Sequence, residues 1–211
     1  MKEKRIAMRS IFIVLFSMLS LLMVEASGQR AWELQKQEDG ISIYTAHQEE
    51  TRILAYRIEA MIQGELGAVY RQVIDLQGNK KYLETVKQLD VLEKRTDQQV
   101  LVYMLFDLPW PFRDRDFVNR MHMDIGSDTI TLRSSPARGE VEPKEEVVRM
   151  QDFSEKWLLV RKPSGTTYLT LQGYADPGGS FPAWVVNRFV VKEPYALVKG
   201  IKKEVEADRG S

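Results

Sequence analysis

The chain has 211 residues, 44% of them hydrophobic, so it is long enough to fold around a core of its own. Its 30 basic residues balance 30 acidic ones, whereas nucleic-acid-binding proteins usually carry a basic excess. The lack of cysteine excludes disulfides, thiol nucleophiles and cysteine-ligated metals, and the two histidines would need carboxylates to complete a zinc site. We therefore expect a single domain that uses no nucleic acid, metal or cofactor.

The first 26 residues have the three-part layout of a secretory signal peptide. A basic segment precedes an apolar stretch at residues 11–24, and Val24 and Ala26 occupy the small-residue positions of a cleavage site. Because the stretch is shorter than the ~20 residues of a spanning helix, cleavage is favoured over a membrane anchor. We expect residues 1–26 to be removed and the mature protein to be exported. Its lack of cysteine favours a bacterial periplasm.

The mature chain opens with two or three antiparallel strands. Their extended patterns cover residues 32–37, 41–45 and 53–62. The pair Asp39-Gly40 predicts a tight turn between the first two strands. At residues 65–76 apolar side chains recur at helical spacing, which predicts an amphipathic helix that ends at Gly78.

Strand patterns return over residues 86–174, where turn-forming residues separate about five segments. None of the connections resembles a crossover helix, so we expect an antiparallel, meandering sheet. Residues 181–206 form a long amphipathic helix whose apolar side must dock on the concave face of the sheet. The predicted fold class is α+β, with a curved antiparallel sheet around a C-terminal helix, an internal apolar tunnel and a frayed tail at residues 207–211.

Three motifs resemble those of the START family of lipid-binding domains. They are Asp39-Gly40-Ile41 before a strand, Pro109-Trp110-Pro111 followed by Arg115-Asp116-Phe117-Val118, and Asp176-Pro177-Gly178-Gly179 before the last helix. Many members carry a tryptophan just after the first helix, where this chain has Tyr82. The resemblance implies a helix-grip fold at residues 27–206 that encloses one hydrophobic molecule. It leaves the ligand open, because members take sterols, phospholipids, ceramides or other apolar compounds.

The candidate ligand-binding residues lie on two strands and the last helix. In the strand at residues 117–125, one face carries Arg120, His122 and Asp124, so the other face is predicted to point inward. The other candidate residues lie on the preceding strand and on the apolar side of the last helix. The predicted ligand-binding residues are Val102, Met104, Phe106, Asn119, Met121, Met123, Asn187, Val190, Val191 and Pro194.

Several of these residues allow two interpretations. The methionines either form an adaptable pocket lining or fill an ordinary core. Asn119 and Asn187 each need a hydrogen-bond partner, which is either the polar head of a ligand or protein backbone. Pro194 either bends the helix around the sheet or provides a hinge that admits the ligand.

The loop before the strand at residues 117–125 carries two aromatic residues, Trp110 and Phe112. Exposed, they would make a transient membrane contact; packed down, they would close one end of the tunnel. Arg115 and Asp116 are interpreted as structural, with the carboxylate bonded to nearby backbone amides.

The sequence favours a carrier over an enzyme, and no catalytic residue is assigned. His47 belongs to a polar hairpin end and His122 to the polar face of a strand, so neither is placed for acid–base chemistry. We expect a monomeric protein whose partner is a lipid or another apolar small molecule. One alternative is a polyketide cyclase or hydrolase, in which Tyr168 and Tyr174 would orient the substrate if their shared face points inward. A protein-binding module is a further alternative, indicated by a filled core and an exposed apolar patch.

Overall fold

The structure, a computed structural model, describes residues 31–48, 51–179 and 181–209, without the side chains of 51, 52, 183–185 and 187–190. The predicted signal peptide lies outside the described residues. The strands are β1 (Glu33–Glu38), β2 (Ile41–Gln48), β3 (Thr51–Ile62), β4 (Val86–Thr96), β5 (Gln99–Phe106), β6 (Arg115–Ile125), β7 (Thr129–Pro136), β8 (Val148–Arg149), β9 (Asp152–Lys162) and β10 (Thr166–Asp176). The helices are α1 (Leu66–Ile74), α2 (Leu76–Asn79) and α3 (Ala183–Asp208), with a 3₁₀ turn at Lys80–Tyr82. None of the described helices is long and apolar enough to span a membrane.

The strands form one sheet in the order β1-β2-β3-β10-β9-β7-β6-β5-β4, and all of these neighbours pair antiparallel. The two-residue strand β8 adds a short parallel ladder to β6. The predicted antiparallel sheet with a C-terminal helix is therefore confirmed. The strand count over residues 86–174 was too low, because β8 is very short and β4 is an edge strand. The second half of β4 is exposed and lacks apolar alternation.

The first hairpin turns at Asp39 and Gly40, as the sequence predicts. Both residues have positive φ, 55° and 70°, which is the backbone of a two-residue turn that follows the twist of its strands. Glycine adopts this conformation at no steric cost, and aspartate tolerates it better than most residues.

The main core lies between one face of the sheet and the second half of α3. In α3, Val198, Ile201 and Val205 are buried, and they pack with α1 and with strands on both sides of β10. The fully buried side chains of this cluster are Ile41, Ile43, Ile58, Ile62, Val69, Leu132, Leu159, Leu169, Leu171, Val198 and Ile201. The apolar side of the last helix docks on the sheet as expected.

A smaller cluster covers part of the opposite face of the sheet. Leu101, Tyr103, Leu105 and Val118 are buried there together with Ala137, against the segment that follows β7. The Arg149 guanidinium donates two hydrogen bonds to the carboxylate of Asp116, at 2.7 and 3.0 Å, and Asp116 is fully buried. Asp116 is structural, but its side chain pairs with Arg149, whereas the sequence analysis expected nearby backbone amides.

Gly200 lets α3 approach the aromatic ring of Tyr82 closely. A Cβ atom at position 200 would lie only 2.4–2.5 Å from three atoms of this ring. The Tyr82 hydroxyl donates a hydrogen bond to Glu204 one turn further along α3, which holds the ring in place. The aromatic residue at position 82 therefore acts as a spacer between the 3₁₀ turn and α3.

We expect Gly200→Ala to lower the free energy of unfolding by about 1–3 kcal/mol, because the added methyl group overlaps the Tyr82 ring. A decrease in stability would indicate the steric overlap, since alanine in a helix is ordinarily about 1 kcal/mol more favourable than glycine. Urea unfolding of the wild type and the variant measures the difference. In a Tyr82→Ala background the same substitution should be neutral or stabilising. A stabilising effect in the wild-type background would contradict the assignment.

Candidate ligand-binding cavity

An internal cavity of about 270 Å³ lies between the first half of α3 and the sheet. Its volume is near the lower end of the roughly 300–1,000 Å³ that is common for small-molecule sites. The lining is mainly apolar. Its apolar residues include Val73, Leu76, Leu83, Val86, Leu89, Val102, Met104, Phe106, Leu108, Phe117, Met121, Phe153, Trp157, Leu171, Phe181, Val186, Pro194 and Leu197. The arrangement suits the apolar part of a small molecule.

Six of the ten predicted ligand-binding residues line this cavity. They are Val102, Met104, Phe106, Asn119, Met121 and Pro194. Met123 packs in the main core, where its sulfur accepts a 3.5 Å hydrogen bond from the Tyr70 hydroxyl. Val191 borders a separate small pocket beside Leu54. The side chains of Asn187 and Val190 lie outside the described residues, and ligand binding by all ten stays a prediction.

Strands β3, β7 and β9 bring to the cavity polar residues that were not predicted from the sequence. Tyr56, Ser134 and Glu155 all line it. Strand pairing places them in one row, since Glu155 lies opposite Ser134 on β7 and opposite Gly173 on β10, which in turn lies opposite Tyr56. Alternation within β9 could have placed Glu155 on the face of Phe153 and Trp157. The position of its partners depends on long-range pairing, which periodicity does not predict.

Glu155 is a buried carboxyl group whose hydrogen bonds come from two aromatic side chains. The Tyr56 hydroxyl donates to its Oε2 at 3.0 Å, and Nε1 of Trp157 donates to its Oε1 at 2.8 Å. Burial raises the pKa of Glu155, although both hydrogen bonds act in the opposite direction. Burial, followed by the nearby Glu155 charge, also raises the pKa of Tyr56 well above its ordinary value.

Gly173 makes room for this pair on β10. A Cβ atom there would lie 2.6 Å from the backbone oxygen of Ser154 and 2.9 Å from the Tyr56 hydroxyl. A larger residue would therefore displace either the neighbouring strand or the tyrosine. The glycine keeps the Tyr56 hydroxyl within reach of Glu155.

Two further polar side chains in the lining have atoms without a protein partner. Asn119 is 6% exposed and Ser134 is 4% exposed, and neither Oδ1 of Asn119 nor Oγ of Ser134 has a hydrogen-bond partner. Ser134 pairs with Met121 on β6, two residues beyond Asn119 on the same face. We call Tyr56, Asn119, Ser134 and Glu155 the polar row.

Arg115 lies at the end of the cavity next to the loop between β5 and β6. Its guanidinium donates to the backbone oxygens of Pro177, at 3.0 Å, Gly178, at 3.3 Å, and Arg113. It also lies over the Phe181 ring, 4.7 Å from its centroid. Burial lowers the pKa of Arg115. Arg115 thus holds the segment before α3 against β6.

The two aromatic residues of the loop between β5 and β6 lie in different environments, one packed against the protein and one exposed. Phe112 stacks on Phe181 with 4.2 Å between ring centroids, and Phe181 lines the cavity. Trp110 is 92% exposed. Phe112 therefore contributes to closing this end of the cavity, whereas Trp110 is presented to solvent.

An antiparallel sheet that grips a long C-terminal helix around an internal apolar cavity defines a helix-grip protein. The chain belongs to the START domain family, whose model matches residues 17–207. This confirms the resemblance drawn from the three motifs.

Individual proteins support the same assignment. An uncharacterized protein of Pseudomonas aeruginosa is 29% identical over 83% of this chain and 87% of its own length. The phosphatidylcholine transfer protein of Bos taurus is 26% identical over 74% of this chain and 76% of its own. Among solved structures, a STAR-related lipid transfer protein fragment from Xanthomonas axonopodis is 26% identical, with a TM-score of 0.73. The structural match covers 82% of this chain and 98% of the fragment.

The raised pKa of Glu155 gives stability a specific pH dependence. Because burial raises the pKa of Glu155, the native state holds this proton up to a higher pH than the unfolded state, which loses it at about pH 4.3, the ordinary value for glutamate. Stability from this group is therefore complete below that pH and is lost as the pH rises through the native pKa. We expect Glu155→Gln, which does not titrate, to gain stability relative to the wild type as the pH rises above the ordinary glutamate pKa.

Urea unfolding of both proteins at several pH values measures this difference. Glu193, whose pKa is also raised by burial, is present in both proteins, so its contribution cancels. A difference that does not change with pH would show that the native pKa of Glu155 is not raised.

Proposed function

We propose that this protein binds a lipid or another apolar small molecule in its internal cavity and carries it without changing it chemically. The observation that supports the proposal most directly is the apolar cavity between α3 and the sheet of a START domain. Relatives named as lipid transfer proteins support it further. Each methylene buried in such a site contributes about 0.8 kcal/mol, so one acyl chain supplies ample binding energy.

The enzyme alternative required the face shared by Tyr168 and Tyr174 to point inward. Thr167 and Leu169, the neighbours of Tyr168 in β10, are buried on the inner face of the sheet. Tyr168 therefore points to the outer face, where the Lys162 ammonium group lies near its ring. Tyr174 is among the residues that line the cavity, but its hydroxyl is engaged in a 2.7 Å hydrogen bond that it donates to Asp152. His122 is exposed beside Asp124. The described residues therefore favour a carrier over a cyclase.

The proposal includes export and a transient contact with a membrane. The signal-peptide pattern at residues 1–26 supports export, in keeping with a periplasmic carrier. The exposed Trp110 supports membrane contact, because an indole ring is favourable at the boundary between headgroups and acyl chains. Phe112, two residues away, stacks on the cavity-lining Phe181, so contact at this loop would bring the cavity end close to the lipid.

We expect Met104→Trp to abolish the bound ligand, because the larger side chain fills part of a cavity of about 270 Å³. Native mass spectrometry of protein purified from its natural host, followed by extraction, detects and identifies the adduct. Met61→Trp is the matched control, since Met61 is 41% exposed on β3. An adduct retained by the Met104 variant would place the ligand elsewhere. A wild-type protein that carries no adduct and takes up no fluorescent lipid would refute the proposed function.

We expect Trp110→Ser to lower the rate of lipid transfer between vesicles about tenfold while leaving the affinity for the lipid unchanged. The substitution removes an exposed ring outside the cavity lining, so it affects membrane contact alone. Transfer of a fluorescent lipid from donor to acceptor vesicles measures the rate. Leu34→Ser serves as the control, because it removes another large exposed apolar side chain, on edge strand β1. Equal rates for the wild type and the Trp110 variant would refute a contact through this loop.

A further inference from the structure

The polar row contains two hydrogen-bonding atoms that the protein leaves unpaired. Oδ1 of Asn119 can only accept a hydrogen bond, and Oγ of Ser134 can donate one and accept others. Both side chains are more than nine-tenths buried and line the cavity. A buried polar atom without a partner is costly, so native proteins rarely retain one without a reason. These atoms are suited to pair with a ligand that carries both a donor and an acceptor.

The described lining has no cation available for a phosphate group. Arg115 is the one basic residue among the described lining residues, and its guanidinium is occupied by three backbone oxygens and the Phe181 ring. Acidic groups are present instead. Besides Glu155, the lining includes Glu193, whose Oε1 accepts a 3.3 Å hydrogen bond from the Thr85 backbone while its Oε2 is buried and unpaired.

Among the described lining residues a phosphate group would therefore find no free basic side chain, and in phosphatidylcholine only the lipid's own choline group would balance it. Burying a phosphate away from any free basic side chain of the protein is unfavourable. An uncharged headgroup carries no such penalty.

We infer that Asn119 and Ser134 bind the uncharged hydroxyl or amide head of the ligand, so that the protein selects a neutral lipid of the sterol, ceramide or diacylglycerol kind over a phospholipid. The lipid O–H or N–H group donates to Oδ1 of Asn119, and a lipid oxygen accepts from Oγ of Ser134. The inference rests on the proposed function and specifies its ligand class.

Binding of fluorescent lipids to the delipidated full-length protein tests this assignment. The probes are ceramide, diacylglycerol and phosphatidylcholine with the same nitrobenzoxadiazole-labelled acyl chain, together with a fluorescent sterol. We expect at least one neutral probe to bind ten times more tightly than phosphatidylcholine. Asn119→Leu and Ser134→Ala should each weaken that neutral probe about tenfold and leave phosphatidylcholine within about twofold.

Ser135→Ala is the matched control, because Ser135 is the next residue on β7 and is exposed. A second readout separates ligand recognition from a structural role. Without ligand, Asn119→Leu should unfold at the same or a higher temperature than the wild type, since it removes an unpaired buried atom. Loss of thermal stability in both site variants would show that these residues hold the fold, and it would overturn the inference.

The binding results distinguish failure of this inference from failure of the proposed function. Phosphatidylcholine binding as tight as that of every neutral probe would overturn the neutral-lipid assignment and leave the carrier function intact. Neutral binding unaffected by both variants would overturn the role of Asn119 and Ser134. If no probe binds to the wild type, the carrier function and the inference fail together.

Discussion

The rest of the structure depends on the way one helix packs against a sheet that is wider than the helix can cover. The second half of α3 contributes Val198, Ile201 and Val205 to a tightly packed core on β2, β3 and β10. Its first half, through Val186 and Pro194, faces the cavity instead. Close packing at one end stabilises the domain, and incomplete packing at the other end leaves the space for a ligand. Stability and binding are thus assigned to different halves of the same helix.

This division explains why polar side chains persist inside the domain. In the main core the buried side chains are mostly aliphatic, and an unpaired amide there would cost about 1–3 kcal/mol. Around the cavity the same cost falls on the ligand-free protein, and a ligand that supplied the missing hydrogen bonds would relieve it. Glu155 carries less of this cost, because its two carboxyl oxygens already accept hydrogen bonds from Tyr56 and Trp157.

Sequence patterns predicted the parts of this architecture that depend on local alternation. Three ionisable residues on one face of β6 placed Asn119 and Met121 on the other face, and both line the cavity. The patterns could not show where the cavity stops along that face, so Met123 was grouped with them although it contacts Tyr70 in the core. The outer cluster around Tyr103 was also missed, because a loop after β7 covers it. Such coverage depends on chain segments that are distant in sequence.

Membership of the START family establishes the fold but does not select the ligand, because one fold can host many specificities. The apolar lining supplies affinity that grows with the area buried, and it discriminates poorly among molecules with similar chains. Discrimination comes from polar groups that one ligand satisfies and another leaves unpaired. In this chain we infer that those groups are the unpaired atoms of Asn119 and Ser134, together with an Arg115 guanidinium already bound by backbone oxygens. The same sheet that forms a nonselective apolar wall also carries Asn119 on β6 and Ser134 on β7, to which we assign recognition of the ligand head.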